Sequence, residues 1–239
     1  MKVIICENYD EMSLRAAEIL ADAIHGKRIT LGLATGSTPE GMYARLVELN
    51  REGKCDFSGV VSFNLDEYYP IKADNDQSYR YFMDKHLFNH VNIDKAKTHV
   101  PDGSAADPDA ECQKYEDMIA AAGGIDLQVI GVGPNGHIGF NEPADELYPL
   151  THLTGLSAAT VNANKKYFAS KDEMPKQALT MGMKSILSAK HIVALASGKV
   201  KHPAIAKLRE GMVTTEWPLT LLNLHSNVTL ICDKEAFYG

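Results

Sequence analysis

The sequence has few cysteines, no long apolar run and no excess of positive charge, and each shortage closes a class of function. Cys6, Cys55, Cys112 and Cys232 are scattered without paired spacing, which argues against a disulfide framework and a cysteine zinc site. Reduced thiols and a cytoplasmic location are expected. The first apolar run, Val3 to Cys6, leads directly into Glu7, Asp10 and Glu11, so it is too short for a signal sequence or a membrane span. A net charge of −7 repels a nucleic-acid backbone and an anionic membrane alike. Neither partner is expected, and any phosphate must be met by a local pocket. His25, His86, His90 and His99 have no metal-ligand spacing with nearby Cys or carboxylates, and no metal is expected.

What is present fits one large α/β domain. Hydrophobic residues make up 45% of the 239 positions and charged residues 23%, a balance that supports a core and excludes a disordered chain. There is no internal repeat, low-complexity tract or dividing linker. Short apolar runs alternate with amphipathic stretches, the signature of βαβ units. The runs predict strands at Lys2–Cys6, Ile29–Ala34, Val60–Leu65, Leu127–Val132, Ile192–Ala196 and Val228–Cys232. Several are unbroken, as suits an open, mainly parallel Rossmann-like sheet with helices on both faces. Apolar positions at Met12, Ala16, Ile19, Leu20 and Ala23 predict a first helix with Asp10 as its N-cap. Further helices are predicted at Pro39–Leu49, Tyr79–Phe88, Asp109–Ala121 and Pro203–Leu208. Residues 143–183, with Pro143, Pro149 and Pro175, are irregular and read as an inserted cap or lid within a single 1–239 domain.

Ligands of open α/β sheets sit beyond the carboxyl ends of the strands, and four such segments carry chemistry. The loop Ala34-Thr35-Gly36-Ser37-Thr38-Pro39 runs into a helix, where free backbone N–H groups, hydroxyls and the helix dipole suit a phosphate. The bland alternative is a tight turn with Thr38 as N-cap. Phe63-Asn64-Leu65-Asp66-Glu67-Tyr68 places two carboxylates at a strand end beside aromatic rings. Neighbours in extended chain point oppositely, so one of them faces the crevice, where desolvation raises its pKa toward the range of a useful base. The alternative there is a capping or solvated acidic turn.

The densest cluster is Gly131-Val132-Gly133-Pro134-Asn135-Gly136-His137-Ile138-Gly139-Phe140-Asn141-Glu142-Pro143. Its glycines let backbone pass close to a ligand, its His suits proton exchange with a sugar hydroxyl and ring oxygen, and Glu142 suits orienting that His. Gly131 to Gly136 also matches a dinucleotide fingerprint, but no acidic residue follows at the required distance, and no organic cofactor is expected. Last, Ser197-Gly198-Lys199-Val200-Lys201-His202-Pro203 is a second small-residue turn, now with lysines that suit a phosphate.

With these segments together the chain resembles the glucosamine-6-phosphate deaminase family in its shorter bacterial form. The likeness is carried by Leu33 to Pro39, Phe63 to Tyr68 and Gly136 to Pro143, and it extends along almost the whole chain. Related 6-phosphogluconolactonases share the Gly-His step but do not continue into Phe-Asn-Glu-Pro. The resemblance implies conversion of glucosamine 6-phosphate and water into fructose 6-phosphate and ammonia. It implies that Asp66 moves a proton from C2 to C1, and that His137 with Glu142 opens the ring. Thr35, Gly36, Ser37, Thr38 and Lys201 would hold the phosphate. Asn135 stands where many members carry Asp, so here it can orient but not ionise. Lys166 stands near a position often held by Arg and would lose bidentate geometry. The segment Thr151-His152-Leu153-Thr154 lacks the basic residues of allosteric members, and their longer C-terminal tail is absent, which implies activity without an N-acetylglucosamine 6-phosphate activator. The alternatives are a 6-phosphogluconolactonase, disfavoured by Asp66 and Phe140 to Pro143, and a sugar-phosphate sensor, disfavoured by the presence of both Asp66 and His137.

Overall fold

The computed structural model describes residues 1–157, 160–161 and 174–239. Strands and helices follow in the order β1 (Lys2–Cys6), α1 (Tyr9–Ile24), β2 (Ile29–Leu33), α2 (Ser37–Arg51), β3 (Val60–Asn64), β4 (Asp66–Tyr69), α3 (Tyr79–Met83) and β5 (Thr98–His99). Then come α4 (Pro108–Ala121), β6 (Leu127–Gly131), β7 (His152–Gly155), β8 (Gln177–Thr180), α5 (Met183–Leu187), β9 (His191–Ala196), α6 (His202–Arg209), β10 (Val228–Asp233) and α7 (Lys234–Tyr238).

Seven strands form one parallel sheet in the order β1-β10-β9-β6-β2-β3-β5. Its inner strands are buried on both faces, as the unbroken apolar runs require, while the edge strand β1 is largely exposed. Leu31, Leu33, Leu127 and Val129 join Met12, Leu20, Met42 and Leu46 of α1 and α2 on one face. Ile130, Ala194 and Leu230 join Tyr115, Ile186 and Ile205 of α4, α5 and α6 on the other. After β2 the chain steps outward through β3 to β5, then returns to place β6 on the opposite side of β2. Loops leaving β2 and β6 therefore diverge from adjacent strands and open a crevice at the carboxyl edge, the topological switch point.

All six predicted strands are present with ends shifted by a residue at most. The N-cap of α1 is not Asp10 but Asn8, whose extended backbone lets Oδ1 accept from Glu11 N at 3.0 Å, while Asp10 sits in the first turn. The predicted helix Tyr79–Phe88 is α-helical only to Met83 and continues as a π turn over Asp84–Phe88. The 143–183 span holds more regular structure than its prolines suggested. Its strands β7 and β8 pair antiparallel with each other, and β8 pairs with β4, giving a three-stranded sheet ordered β4-β8-β7. That sheet places Asp66 directly opposite Thr180. No helix among the described residues is long and apolar enough to cross a membrane.

Candidate active site

The crevice holds a cavity of about 580 Å³ lined by three of the four predicted segments and, from the fourth, by Lys201. From β2 come Thr35, Gly36, Ser37 and Thr38. Helix α2 begins at Ser37 with Gly36, not Thr38, at the N-cap position, and no side chain caps it. A side-chain cap would consume first-turn donors, so its absence leaves backbone N–H groups and the positive end of a 15-residue helix dipole beside the cavity. Tyr9 pins this turn, its hydroxyl donating to Ser37 O at 2.8 Å and accepting from Gly41 N at 2.8 Å. Lys201 is the one lysine or arginine among the described lining residues, and burial lowers its pKa.

The two acidic neighbours of β4 divide as strand alternation predicts. Asp66 lines the cavity and is 6% exposed. Burial first, and then the adjacent Glu67, push its pKa up to about 8. Glu67 turns away and accepts from Tyr68 N, Ser78 Oγ, Tyr79 N and Arg80 N at 2.8–3.0 Å, fastening the start of α3. Burial still raises its pKa, against those four bonds. The capping role weighed for this acidic pair therefore belongs to Glu67 and the cavity role to Asp66.

His137, Asn135 and Glu142 meet on the loop after β6. Glu142 Oε2 lies 3.4 Å from His137 Nδ1 and accepts from Asn135 Nδ2 at 2.8 Å. Asn135 Oδ1 in turn accepts from the backbone N–H of His137 at 3.3 Å. The other Glu142 oxygen accepts from Ser157 Oγ at 3.1 Å and Thr160 Oγ1 at 2.7 Å. Burial alone would raise Glu142, but the nearby His137 ring, with the hydrogen bonds of Asn135 and Thr160, takes it down to about 2. The loop is glycine-dependent at close approaches. A Cβ on Gly133 would lie 2.4 Å from the His137 ring. One on Gly139, whose φ is +60°, would meet Thr180 Oγ1 at 2.9 Å and Asp66 Oδ2 at 3.1 Å.

Two carboxylates in one cavity are thus driven in opposite directions, one toward neutrality and one held ionised. Such a split assigns different acid–base tasks to chemically similar groups. Asp66 is suited to exchange a proton near neutral pH, and Glu142 to hold and orient His137.

A family model described as glucosamine-6-phosphate isomerases/6-phosphogluconolactonase matches residues 7–231. The chain belongs to that family. It is 54% identical over 237 residues to a glucosamine-6-phosphate deaminase of Thermoanaerobacter sp., covering 99% of this chain and 94% of the relative. It is 49% identical to a deaminase of Clostridium perfringens, covering 99% and 98%. A solved monomeric glucosamine-6-phosphate deaminase superposes with a TM-score of 0.95 at 44% identity, covering 99% and 98%. A 6-phosphogluconolactonase from Leishmania guyanensis superposes at 0.75 with 22% identity, covering 100% and 98%, a likeness of fold alone.

In this glucosamine-6-phosphate isomerase family member the structure brings Thr35, Gly36, Ser37, Thr38, Asp66, Asn135, His137, Glu142 and Lys201 to one cavity. Lys166 lies outside the described residues. Ser197 and Gly198, in the turn before Lys201, do not line the cavity, and Asp233 takes both Ser197 Oγ and Gly198 N. Among the described residues no group of His, Cys, Asp and Glu is arranged to hold a metal. Sequence reasoning missed Ser157 and Thr160, whose lone hydroxyls sit far along the chain from Glu142 and carry no spacing signal.

Proposed function

We propose that this protein converts glucosamine 6-phosphate and water into fructose 6-phosphate and ammonia. The observation that carries the reading is Asp66: a buried cavity carboxylate raised to about 8, beside a His137–Glu142 pair whose carboxylate stays ionised. Identity of 54% to a glucosamine-6-phosphate deaminase over nearly the whole chain supports the substrate. In this reading residues 1–239 form one domain, with 143–183 as its cap, working in the cytosol without an organic cofactor or metal.

His137 takes the proton of the anomeric hydroxyl and returns one to the ring oxygen, so the C1–O5 bond breaks and the aldehyde forms. Glu142 stabilises the transient imidazolium, and Asn135 holds Glu142 by hydrogen bonding without ionising. Asp66 then removes the proton from C2, and the electron pair moves to give an enolamine. Protonation at C1 leaves an imine at C2, which water hydrolyses to the ketone and ammonia. No electron acceptor is needed, since the aldehyde carbon is reduced as C2 is oxidised. The 6-phosphate is held by the Thr35–Thr38 loop at the start of α2 and by Lys201, with Lys166 as a further phosphate ligand. Activity needs no N-acetylglucosamine 6-phosphate activator.

The purified protein incubated with glucosamine 6-phosphate should release ammonium and fructose 6-phosphate in equal amounts. Hydrolysis of 6-phosphogluconolactone with neither product would refute the reading and leave only the shared fold.

A further inference from the structure

Asp233, the last residue of β10, is 4% exposed and does not line the cavity, yet its carboxylate is saturated with donors. Oδ2 accepts from Ser197 Oγ at 2.5 Å and from Gly198 N at 2.9 Å. Oδ1 accepts from Ala236 N at 2.8 Å and Gly198 N at 3.1 Å. Gly198 O in turn accepts from the backbone N–H of Lys201 at 3.0 Å. Two hydrogen bonds therefore connect the buried carboxylate to the backbone of the lysine that reaches the cavity. A second tie runs from the same short C-terminal helix, where His202 Nδ1 lies 3.3 Å from Ala236 O.

We propose that Asp233 is a positioning residue for the phosphate site, holding the turn that delivers Lys201 into the cavity; this rests on the phosphate role given to Lys201 above. The argument has two parts. A lysine is a flexible point charge, so its value to a phosphate depends on where its backbone is anchored. Lys201 is also partly buried, and burial lowers its pKa, so it needs a defined place opposite an anion to stay charged there. The second part concerns the turn itself. Ser197 Oγ and Gly198 N are donors of the kind that attract anions, and Asp233 consumes both. With these two donors consumed, the phosphate is directed to the uncapped start of α2, and of the β9 turn Lys201 is the residue that lines the cavity. In the carboxylate's absence the same turn would relax and offer a competing, misplaced anion site.

The test uses the full chain with Asp233→Asn and the milder Ser197→Ala, each checked for folding by circular dichroism and thermal melting. Kinetics with glucosamine 6-phosphate give KM and kcat, and calorimetry gives the dissociation constant of inorganic phosphate. D233N keeps the shape but sets an amide N–H against a donor, and a lost charge-assisted bond of this kind raises KM and the phosphate dissociation constant by about tenfold. S197A raises both by about threefold, and kcat stays within about threefold in each. A merely structural role would lower the folded fraction, which reduces kcat and the binding stoichiometry but leaves KM and the phosphate constant unmoved. That pattern, or wild-type phosphate affinity in folded D233N and S197A, overturns the proposal. If the wild-type protein releases no ammonium, the proposed reaction fails, and the phosphate measurement still decides the role of Asp233.

Discussion

Asp66 and Glu67 are consecutive residues of β4, yet one carboxylate faces the cavity while the other is tied by three hydrogen bonds to the start of α3 and by a fourth to Tyr68 N. The strand's two-residue period separates a reactive acid from a structural one. It also keeps a second negative charge close enough to raise Asp66 further.

The first prediction is that Asp66→Asn lowers kcat for ammonium release by about a hundred- to ten-thousandfold, the usual worth of a positioned general base. KM should change by less than about threefold, because the amide keeps the shape and the phosphate contacts. A fall in substrate affinity with kcat preserved would assign Asp66 to binding instead.

The pH dependence follows from the same group. Asp66 must be ionised to remove the C2 proton, so kcat/KM should rise with pH along an acid limb centred near 8. Stability runs the other way. The folded pKa of about 8 stands above the ordinary 3.8, so between these values the native state binds more protons and stability falls as pH rises. D66N removes that slope. Its melting temperature should therefore gain on the wild type between pH 5 and pH 8, and a parallel pair of melting curves across that window would contradict the burial argument.

Thr160→Val tests the hydroxyl grip on Glu142. Removing the 2.7 Å bond should raise the Glu142 pKa above its present value of about 2 and lower kcat/KM by about three- to tenfold. Thr160→Ser should restore most of the loss, since it returns the hydroxyl. Equal activity in all three proteins would show that Asn135 and Ser157 suffice.

Lys201→Ala should raise KM by about ten- to a hundredfold, the range for losing a hydrogen bond to a charged group, with a smaller change in kcat. Steady-state kinetics checks this directly. A loss confined to kcat would place Lys201 at the reacting atoms and away from the phosphate.

Much of this site could be read from the sequence because its parts follow apolar strands. Leu127 to Gly131 and Ile29 to Leu33 are buried on both sides, and such runs announce themselves without periodicity. The loops at their ends were therefore placed well enough to bring Thr35, Asp66, His137 and Lys201 to one crevice edge. The second sheet was hidden for the opposite reason. Asp66 and Glu67 open β4, and acidic residues are poor strand formers, so the segment resembled a turn until β8 paired with it. Ser157 and Thr160 each reach Glu142 through one hydroxyl, and Asp233 reaches Ser197 and Gly198 from far along the chain, contacts that leave no local pattern. Asn8 and Asp10 are both good cap residues two positions apart, and only the extended backbone at Asn8 distinguishes them.

The most direct test of the account runs the reaction in deuterium oxide with wild-type protein and D66N, following carbon-bound deuterium in the ketose by NMR. The account predicts ammonium with wild type and a hydrogen delivered to C1 of fructose 6-phosphate, protium where Asp66 returns the C2 proton directly and deuterium where Asp66 exchanges with solvent first, and neither product at a comparable rate with D66N. Undiminished ammonium release by folded D66N would contradict the claim that the buried Asp66 carries the proton between C2 and C1.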